Sequence, residues 1–349
     1  MNPPLTYPVE MLLKIGIRAG VSDYHLDAGR VPAWRLDGRL TIQQQMPVVT
    51  AEDLESILKA AACDPAGAGD ASVELQGELF RISYGHTRTG NNVVMRHILK
   101  RCFTLEELQV PPAFVKLLEA REGLVLISGP AGAGKSRTLN GAINHLNGQE
   151  EGGTITILGD PIEFFHEDRY CRIRHREYGK DFTSWETMLE QTLRQDPDII
   201  AITEMRDYAT MKMALAAAET GHLVLGTLHN ASAKDAITRI LDACPENDQE
   251  QQRAIVGKAW RGVLAQQLVP RAVGGRVAAF ELLINTIGVA NLIRENRYRQ
   301  IDDEILRGHQ HGMVRMDESL KTLCEKSEIT RETALKYAFN PATLQKILK

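Results

Sequence analysis

One segment, GPAGAGKS at residues 129 to 136, constrains the fold of this chain more than any other. It follows the apolar run LVLIS and precedes the helix-like TLNGAINHL, so G-x-x-x-x-G-K-[ST] stands between a predicted strand and a predicted helix. The glycines allow a tight wrap that points backbone N–H groups at phosphate oxygens. Lys135 would reach the β- and γ-phosphates of a nucleotide, and the Ser136 hydroxyl would bind Mg²⁺. The alternative is a glycine-rich turn that binds nothing. We predict a nucleotide site formed by Gly129, Pro130, Ala131, Gly132, Ala133, Gly134, Lys135 and Ser136.

The residues from about 120 to 285 have the pattern of an α/β fold. Nearly continuous apolar runs alternate with helical segments, namely LVLIS, TITIL, IIAIT, HLVLGTL and VAAFELL. Strands that are apolar on both faces are typical of a parallel sheet covered by helices on both sides. Before them, one helix-like segment and the short runs SDYHLD, AWRLDG, LFRISYGH and NVVMRHI predict a small α+β domain. We predict an N-terminal domain at 1–104, a linker at 105–118, an α/β core at 119–285 and a helical C-terminal portion at 286–349.

Polar side chains follow several of these predicted strands. Glu204 comes after IIAIT, Asp160 and Glu163 come after TITIL, and His222 and His229 flank the strand within HLVLGTL. Ligands of such sheets bind beyond the carboxyl ends of the strands. We therefore expect Glu204 to face the Mg²⁺ of the nucleotide, the alternative being a surface carboxylate that caps the next helix. One of the carboxylates after TITIL could accept the proton of an attacking water, and His229 could lie near the γ-phosphate.

The charge balance argues against nucleic acid as the main partner. The formal net charge is -4 and the pI is about 6.2, whereas proteins that bind phosphate backbones usually have a basic balance or a basic face. The basic run RYCRIRHREYGK places Arg172, Arg174 and Arg176 at a period of two, on one face of a strand. We interpret this run as a solvated edge strand. A nucleic-acid-binding stripe and a subunit contact are the alternatives.

The cysteines and the N-terminal segment indicate the compartment. The 5 cysteines are scattered and form no CxxC pair, which fits neither a disulfide framework nor a zinc site. The opening MNPPLTYPVEM lacks the basic and apolar regions of a secretory signal. No apolar run approaches the ~18 residues that a transmembrane helix needs. We expect a cytoplasmic protein with reduced thiols.

Four stretches, taken together, resemble the secretion ATPases of type II and type IV systems, most closely the PilT-like retraction motors of type IV pili. GPAGAGKS is similar to their Walker A segment, GDPIEF to their Asp box, DPDIIAITEMRD to their Walker B segment and TGHLVLGTLHNASA to their His box. These motifs stand in the family's order, and segments on both flanks are similar as well. The resemblance implies a PAS-like N-terminal domain, a RecA-like P-loop ATPase domain with a helical C-terminal portion, and ATP and Mg²⁺ as cofactors.

The resemblance also implies roles for individual residues. Glu163 matches the glutamate regarded as the general base that activates water, and Glu204 matches the Walker B glutamate near Mg²⁺. His222 and His229 match the two His-box histidines that sense or order the γ-phosphate.

Two arginines of the N-terminal domain, Arg81 and Arg96, match residues that approach the nucleotide in the family. Guanidinium groups there would stabilise charge on the transferred phosphoryl group, although solvated surface arginines are the alternative. The chain departs from the family at Gly159, where a glutamate is usual, and at Arg137, where a threonine is common. Arg137 adds a positive charge near the phosphates and could pair with the nucleotide or with an acidic neighbour.

The resemblance finally implies an assembly and a machine. The expected assembly is a ring, usually a hexamer, that acts on an inner-membrane platform protein from the cytoplasmic face. The implied function is pilus retraction, and a DotB-like motor for conjugation or effector secretion is the alternative within the same class. The short N-terminus favours retraction over pilus assembly. A DNA translocase and a nucleotide-gated adaptor that barely hydrolyses ATP are the alternatives from other classes.

Overall fold

The computed structural model describes residues 5–36, 38–88, 90–98 and 102–348. The chain divides into two compact units, Met1–Arg101 (unit 1) and Cys102–Lys349 (unit 2). Each has its own buried apolar core. Among the described residues, no helix combines the length and the apolar character that crossing a bilayer requires. The finer predicted boundaries, at residues 104, 118 and 285, stay predictions.

Unit 1 is an antiparallel sheet packed by two helices, which confirms the predicted α+β class. The 6 strands found among its described residues lie in the order β3-β2-β1-β6-β5-β4. The first helix has a proline in its first turn and ends at Ala19, and the left-handed backbone of Gly20 caps it. The second begins with a capping box formed by Thr50 and Asp53. The elements are α1 (Tyr7–Ala19), β1 (Asp23–Asp27), β2 (Ala33–Leu36), β3 (Arg39–Ile42), α2 (Ala51–Ala60), β4 (Gly69–Leu75), β5 (Glu78–Thr87) and β6 (Gly90–Ile98).

Unit 2 is built on a sheet of 7 strands in the order β13-β12-β7-β11-β10-β8-β9. The strands are β7 (Gly123–Ser128), β8 (Gly153–Gly159), β9 (Cys171–Glu177), β10 (Ile199–Ile202), β11 (Leu223–Leu228), β12 (Trp260–Pro270) and β13 (Arg276–Ile284). The first helices are α3 (Pro112–Leu118), α4 (Lys135–Asn147), α5 (Trp185–Leu193), α6 (Tyr208–Glu219) and α7 (Ala233–Asp242). The later helices are α8 (Gln249–Ala259), α9 (Ile287–Arg294), α10 (Ile301–Arg307), α11 (Met316–Glu325), α12 (Arg331–Tyr337) and α13 (Pro341–Ile347).

The apolar runs of the sequence form the centre of this sheet because they are covered on both faces. All residues of β7 and β11 are buried. Leu124 and Leu126 of β7 pack into one apolar cluster, whereas Val125 and Ile127 pack into another on the opposite face. The strand from TITIL pairs in parallel with β10, which confirms the predicted parallel arrangement for these runs. The basic run forms the edge strand β9.

The structure differs from the prediction at the other edge of the sheet. VAAFELL, expected to be a parallel strand, forms β13, which pairs antiparallel with β12. β12, which pairs in parallel with β7, is not among the strands predicted from the sequence. Only 5 residues, 271 to 275, connect β12 to β13. A connection this short cannot return the chain to the starting end of the sheet, so the second strand must run antiparallel.

The segment predicted as a linker, residues 105–118, contributes to the core of unit 2. Leu105, Val110, Phe114 and Leu118 are buried in the same cluster as α4 and β7. The same segment contains helix α3, which begins at Pro112.

A buried carboxylate on β13 joins two helices to the sheet. Glu281 accepts a hydrogen bond from the backbone N–H of Ala233, the first residue of α7, at 2.8 Å. It also accepts one from the backbone of Met316, the first residue of α11. Burial raises the pKa of Glu281 to about 7, although these N–H groups and Arg315 oppose the rise. Glu281 thus fixes the beginning of α7, directly after the loop that follows β11.

The stability of the protein is expected to depend on the ionisation of Glu281. The folded state holds the proton up to about pH 7, whereas the unfolded state releases it near the ordinary glutamate pKa, so the folded state binds more protons in between. The free energy of unfolding should therefore fall as pH rises from 5 to 7, by up to about 1.4 kcal/mol per pH unit from this group. Glu281→Gln should remove that slope in urea unfolding, and the exposed Glu295→Gln should retain it. An unchanged slope in Glu281→Gln would show that Glu281 is ionised in the fold.

Candidate functional site

The phosphate loop connects Ser128 at the end of β7 to Lys135 at the start of α4, as the sequence predicts. Gly134 has a φ of 90°, in the left-handed region that favours glycine. Gly129 lies so close to β12 that a Cβ atom built on it would stand 2.4 Å from the backbone oxygen of Gln266. A side chain at either position would disturb the wrap of the loop.

Gln266 on β12 holds this loop, and sequence reasoning missed it. Its Nε2 donates to the backbone oxygen of Ala133 at 2.6 Å, and its Oε1 accepts from the Thr138 hydroxyl at 2.8 Å. The side chain is 1% exposed. Because buried polar groups need partners, this amide ties the loop and the first turn of α4 to the neighbouring strand. The available signal was the pair Gln266 and Gln267 between the apolar stretches of this strand.

Lys135 lies inside the loop. Its Nζ donates to the backbone oxygens of Gly129 at 2.8 Å and Pro130 at 3.1 Å, and lies 3.3 Å from Nδ1 of His229. Burial lowers the pKa of Lys135, and the carboxylates of Glu204 and Glu163 oppose that shift. The ammonium group therefore lies where the loop wraps, with two carboxylates close enough to influence it.

A row of polar side chains follows the strand order along the carboxyl edge of the sheet. His229 follows β11, and its Nε2 lies 2.9 Å from Glu204 Oε1, which follows β10. Glu204 Oε2 accepts from Arg206 at 2.9 Å. The same guanidinium donates to Asp160, which follows β8, at 2.8 Å. The contacts thus run from Lys135 across β11, β10 and β8 in the order of the sheet, which brings four predicted site residues together.

Arg206 is the central cation of this row, and it is not among the predicted site residues. Burial alone would raise the pKa of Glu204, but the hydrogen bonds and charges of Arg206 and His229 lower it overall. Glu204 is therefore an anion near neutral pH, and its stabilising contribution is present above its ordinary pKa and lost as pH falls through the lowered value. The signal that could have identified Arg206 is its position two residues after a strand-end carboxylate.

Replacing Arg206 with glutamine is expected to shift the acid limb of the pH–activity profile to higher pH. The change removes the cation between Asp160 and Glu204, so their carboxylates repel each other and the pKa of Glu204 rises. The measurement is ATP hydrolysis from pH 5 to 8 for both proteins. Arg194→Gln, at the end of α5, is the control and should leave the profile unchanged. If the profile of Arg206→Gln coincides with that of wild type, the protonation of Glu204 does not set the acid limb.

Glu163 lies on the irregular segment after β8, between the buried residues Ile162 and Phe164. It is half-buried, and its charge opposes the lowering of the Lys135 pKa that burial causes. The structure therefore brings Glu163 near the phosphate loop, on the side where Asp160 also lies.

The oxygen groups at this edge fit a magnesium ion. Mg²⁺ binds through one or two carboxylates together with waters and phosphate oxygens. The Ser136 hydroxyl at the start of α4 and the Glu204 carboxylate would hold it here, partly through water. Each Glu204 oxygen accepts one bond and keeps a lone pair for a water ligand. Within the part of the chain that the structure describes, no group of 3 or more His, Cys, Asp and Glu side chains is arranged to hold a metal unaided.

His222 lies apart from these residues. It precedes β11, and its Nδ1 lies 3.1 Å from the backbone oxygen of Ala217. Leu223 pairs with Gly123 and Leu228 with Ser128, so His222 is at the amino edge of the sheet and the phosphate loop at the carboxyl edge. The strand between them spans about 20 Å. Within one chain His222 does not join the site, and its role toward the nucleotide stays a prediction.

The three remaining predicted residues lie in two places. Arg81 and Arg96 are paired opposite each other on β5 and β6 of unit 1, on one face of the sheet. Arg96 forms an ion pair with Asp23 at 2.8 Å. Each guanidinium group has a carboxylate partner within unit 1, which offsets the repulsion between these like charges. Arg137 lies on α4 of unit 2, with its guanidinium carbon 5.2 Å from the centre of the Phe103 ring.

Comparisons with known proteins agree with this geometry. The family model described as "Type II/IV secretion system protein" matches residues 67–330. The type IV pilus retraction ATPase PilT of Pseudomonas aeruginosa is 37% identical over 338 residues, which cover 95% of this chain and 98% of that protein. The crystal structure of the pilus retraction motor PilT with bound ADP has a TM-score of 0.85 at 34% identity, covering 97% of this chain and 98% of that one. The ATPase DotB of Legionella pneumophila has a TM-score of 0.83 at 21% identity, covering 96% of both chains.

Proposed function

Because this chain belongs to the type II/IV secretion system protein family and is a PilT-like P-loop ATPase, we propose that it is a motor that couples ATP hydrolysis to the retraction of a type IV pilus. The observation that supports this most strongly is the likeness to a retraction ATPase over nearly the whole length of both chains. The likeness to DotB, at 21% identity, extends to the fold alone and does not favour a secretion role.

The proposed chemistry uses the row of residues at the carboxyl edge of the sheet. The N–H groups of the phosphate loop and Lys135 bind the β- and γ-phosphates. Mg²⁺, when bound, would neutralise charge on the phosphate oxygens. Glu163 accepts a proton from the attacking water as general base. His229 responds to the γ-phosphate, because its ring lies between Lys135 and Glu204 and would feel a new negative charge at the loop.

We propose that the working form is a ring, in which each site is completed by a neighbouring copy. Within one chain, the residues near the phosphate loop do not include His222. Arg81 and Arg96 belong to unit 1, where they lie side by side on one face of the sheet. Arginines that arrive from a second chain would link hydrolysis in one site to movement of the neighbour. A hexamer is the expected ring.

The proposed place of action is the cytoplasmic face of the inner membrane. There the ring would act on a platform protein of the pilus machine, and it would touch the membrane through that partner. No nucleic acid is needed for this work.

The first experiment measures steady-state Mg-ATP hydrolysis over a hundredfold range of protein concentration, with and without DNA. We expect the activity per chain to rise with concentration, because sites are completed by assembly. We expect DNA to change it by less than twofold. A large stimulation by DNA would support a translocase instead, and ATP binding without turnover would support an adaptor.

The second experiment deletes the gene in its native host. Loss of retraction should leave cells with more surface pili and without twitching, and the wild-type gene should reverse both changes. A gene that encodes Lys135→Ala should not reverse them. Normal twitching together with a loss of DNA transfer or effector secretion would favour the DotB-like alternative.

A further inference from the structure

Alternate residues of the segment that carries Glu163 are buried, and one of them, His166, bonds to the helix that follows the phosphate loop. Ile162, Phe164 and His166 are 2%, 8% and 8% exposed, whereas Phe165 is 57% exposed. This alternation is that of an extended chain, in which successive side chains point to opposite sides. Glu163 therefore points away from the side on which His166 is buried.

His166 connects this segment to α4 through a buried amide. Its Nε2 lies 2.7 Å from Oδ1 of Asn140, and Nδ2 of Asn140 donates to the backbone oxygen of Ser136 at 2.6 Å. Asn140 is 6% exposed. Because Oδ1 can only accept, the imidazole proton is on Nε2. The contacts thus lead from the Glu163 segment to Ser136, directly after Lys135.

The second ring nitrogen and the backbone of His166 also have partners, which fix the orientation of the ring. The Nδ1 atom lies 3.6 Å from the Cys102 thiol, and the His166 backbone N–H donates to Nε2 of His175 at 3.1 Å. Burial, with the charges of His175 and Arg169, lowers the pKa of His166 to about 4. At neutral pH the imidazole is uncharged, with one donor and one acceptor that both have partners.

We propose that His166 is a positioning residue, which acts through Asn140 to hold Glu163 at its working distance from the phosphate loop. The inference rests on the proposed role of Glu163 as general base. His166 itself touches neither nucleotide nor water. Its removal should let the segment shift relative to α4, and misplacing a catalytic group by about 1 Å can cost up to about a hundredfold in rate.

The test compares His166→Phe, His166→Gln and wild type by kcat and KM for ATP. His166→Phe keeps an aromatic ring at this position but removes the contacts of both ring nitrogens, with Asn140 and with Cys102. We expect kcat to fall about tenfold while KM changes less than about twofold. His166→Gln can still donate to Asn140 and should recover most of kcat. The control is His145→Phe, on the same helix but bonded to Gln149, which should leave both constants unchanged.

A double-mutant cycle separates positioning from a general structural effect. If His166 acts through Glu163, then His166→Phe should change hydrolysis less than about twofold once Glu163 is already Gln. A tenfold loss in both backgrounds, or full activity of both His166 variants, would overturn the inference. If the Phe variant does not fold, His166→Gln is compared with Asn140→Ala instead. The first variant can keep the bond between positions 166 and 140 and the second cannot, so kcat of His166→Gln must be the higher of the two. If Glu163→Gln alone hydrolyses ATP normally, Glu163 is not the base, and the positioning role of His166 is overturned with it. The proposed motor function does not depend on this outcome.

Discussion

Replacing Lys135 with alanine is expected to lower kcat/KM for ATP by about a hundredfold or more and to weaken nucleotide binding. The Lys135 ammonium is buried inside the phosphate loop, where it donates to two loop carbonyls and lies near Glu204 and Glu163. A phosphate group in the loop would offer it charge-assisted hydrogen bonds worth about 1.5 to 3 kcal/mol each. Losing two of these amounts to at least a hundredfold in affinity or rate.

The measurement pairs phosphate release with the binding of a fluorescent ATP analogue. Lys116→Ala, an exposed lysine on α3 of the same unit, is the control and should behave as wild type. Circular dichroism checks that the Lys135 variant is folded. If the folded variant binds and hydrolyses ATP as wild type does, the loop is not the nucleotide site, and the proposed function loses its chemical basis.

The centre of the fold could be predicted from the sequence because burial leaves a strong pattern. The runs that form β7, β8, β10 and β11 are short and apolar on both faces, a pattern typical of parallel strands covered on both sides. β12 was missed because Gly262, Gln266 and Gln267 interrupt its apolar character. Without β12, the short connection that reverses the chain into β13 could not be recognised. The error in strand direction followed from the missed strand.

The candidate site was predictable where topology alone places a residue. Asp160, Glu204 and His229 were found because the carboxyl ends of parallel strands share one edge. Arg206 and Gln266 were not, since their roles depend on which side chains the tertiary fold places opposite them. The two His-box histidines enclose a strand of 6 residues, so their positions at opposite ends of it were available from the sequence.

Gly159 illustrates a departure that the structure explains. A Cβ atom built on it would stand 2.7 Å from Cδ1 of Ile162 and 3.1 Å from the backbone oxygen of Pro161. The segment after β8 therefore folds back closely on Gly159. A side chain at this position would require the Ile162 side chain to change its rotamer and the Pro161 carbonyl to shift slightly. The absence of a side chain at Gly159 thus allows Pro161 and Ile162 to pack closely against β8, beside the proposed base Glu163.

Changing Glu163 to glutamine is expected to lower kcat for ATP hydrolysis by about a hundredfold to ten-thousandfold, with little change in ATP affinity. The two side chains have the same shape, so the packing of the segment between Ile162 and Phe164 is kept. Glutamine cannot accept the proton of the attacking water, and general base catalysis contributes about that factor. The measurement is single-turnover hydrolysis together with the binding of a fluorescent ATP analogue.

Two further variants decide what a loss of activity in Glu163→Gln means. Glu167→Gln changes an exposed glutamate on the same segment and should leave kcat unchanged, so a loss there would indicate a general sensitivity of the segment. Glu204→Gln should lower kcat and should also raise the Mg²⁺ concentration needed for half-maximal activity, because the Glu204 oxygens would hold the ion. A change in this Mg²⁺ concentration is the change in Mg²⁺ dependence. If Glu163→Gln retained wild-type kcat while Glu204→Gln lost it without any change in Mg²⁺ dependence, the base would be Glu204. The row from Lys135 through His229 to Glu204 would then be the catalytic path, and Glu163 would only adjust the charge around the loop.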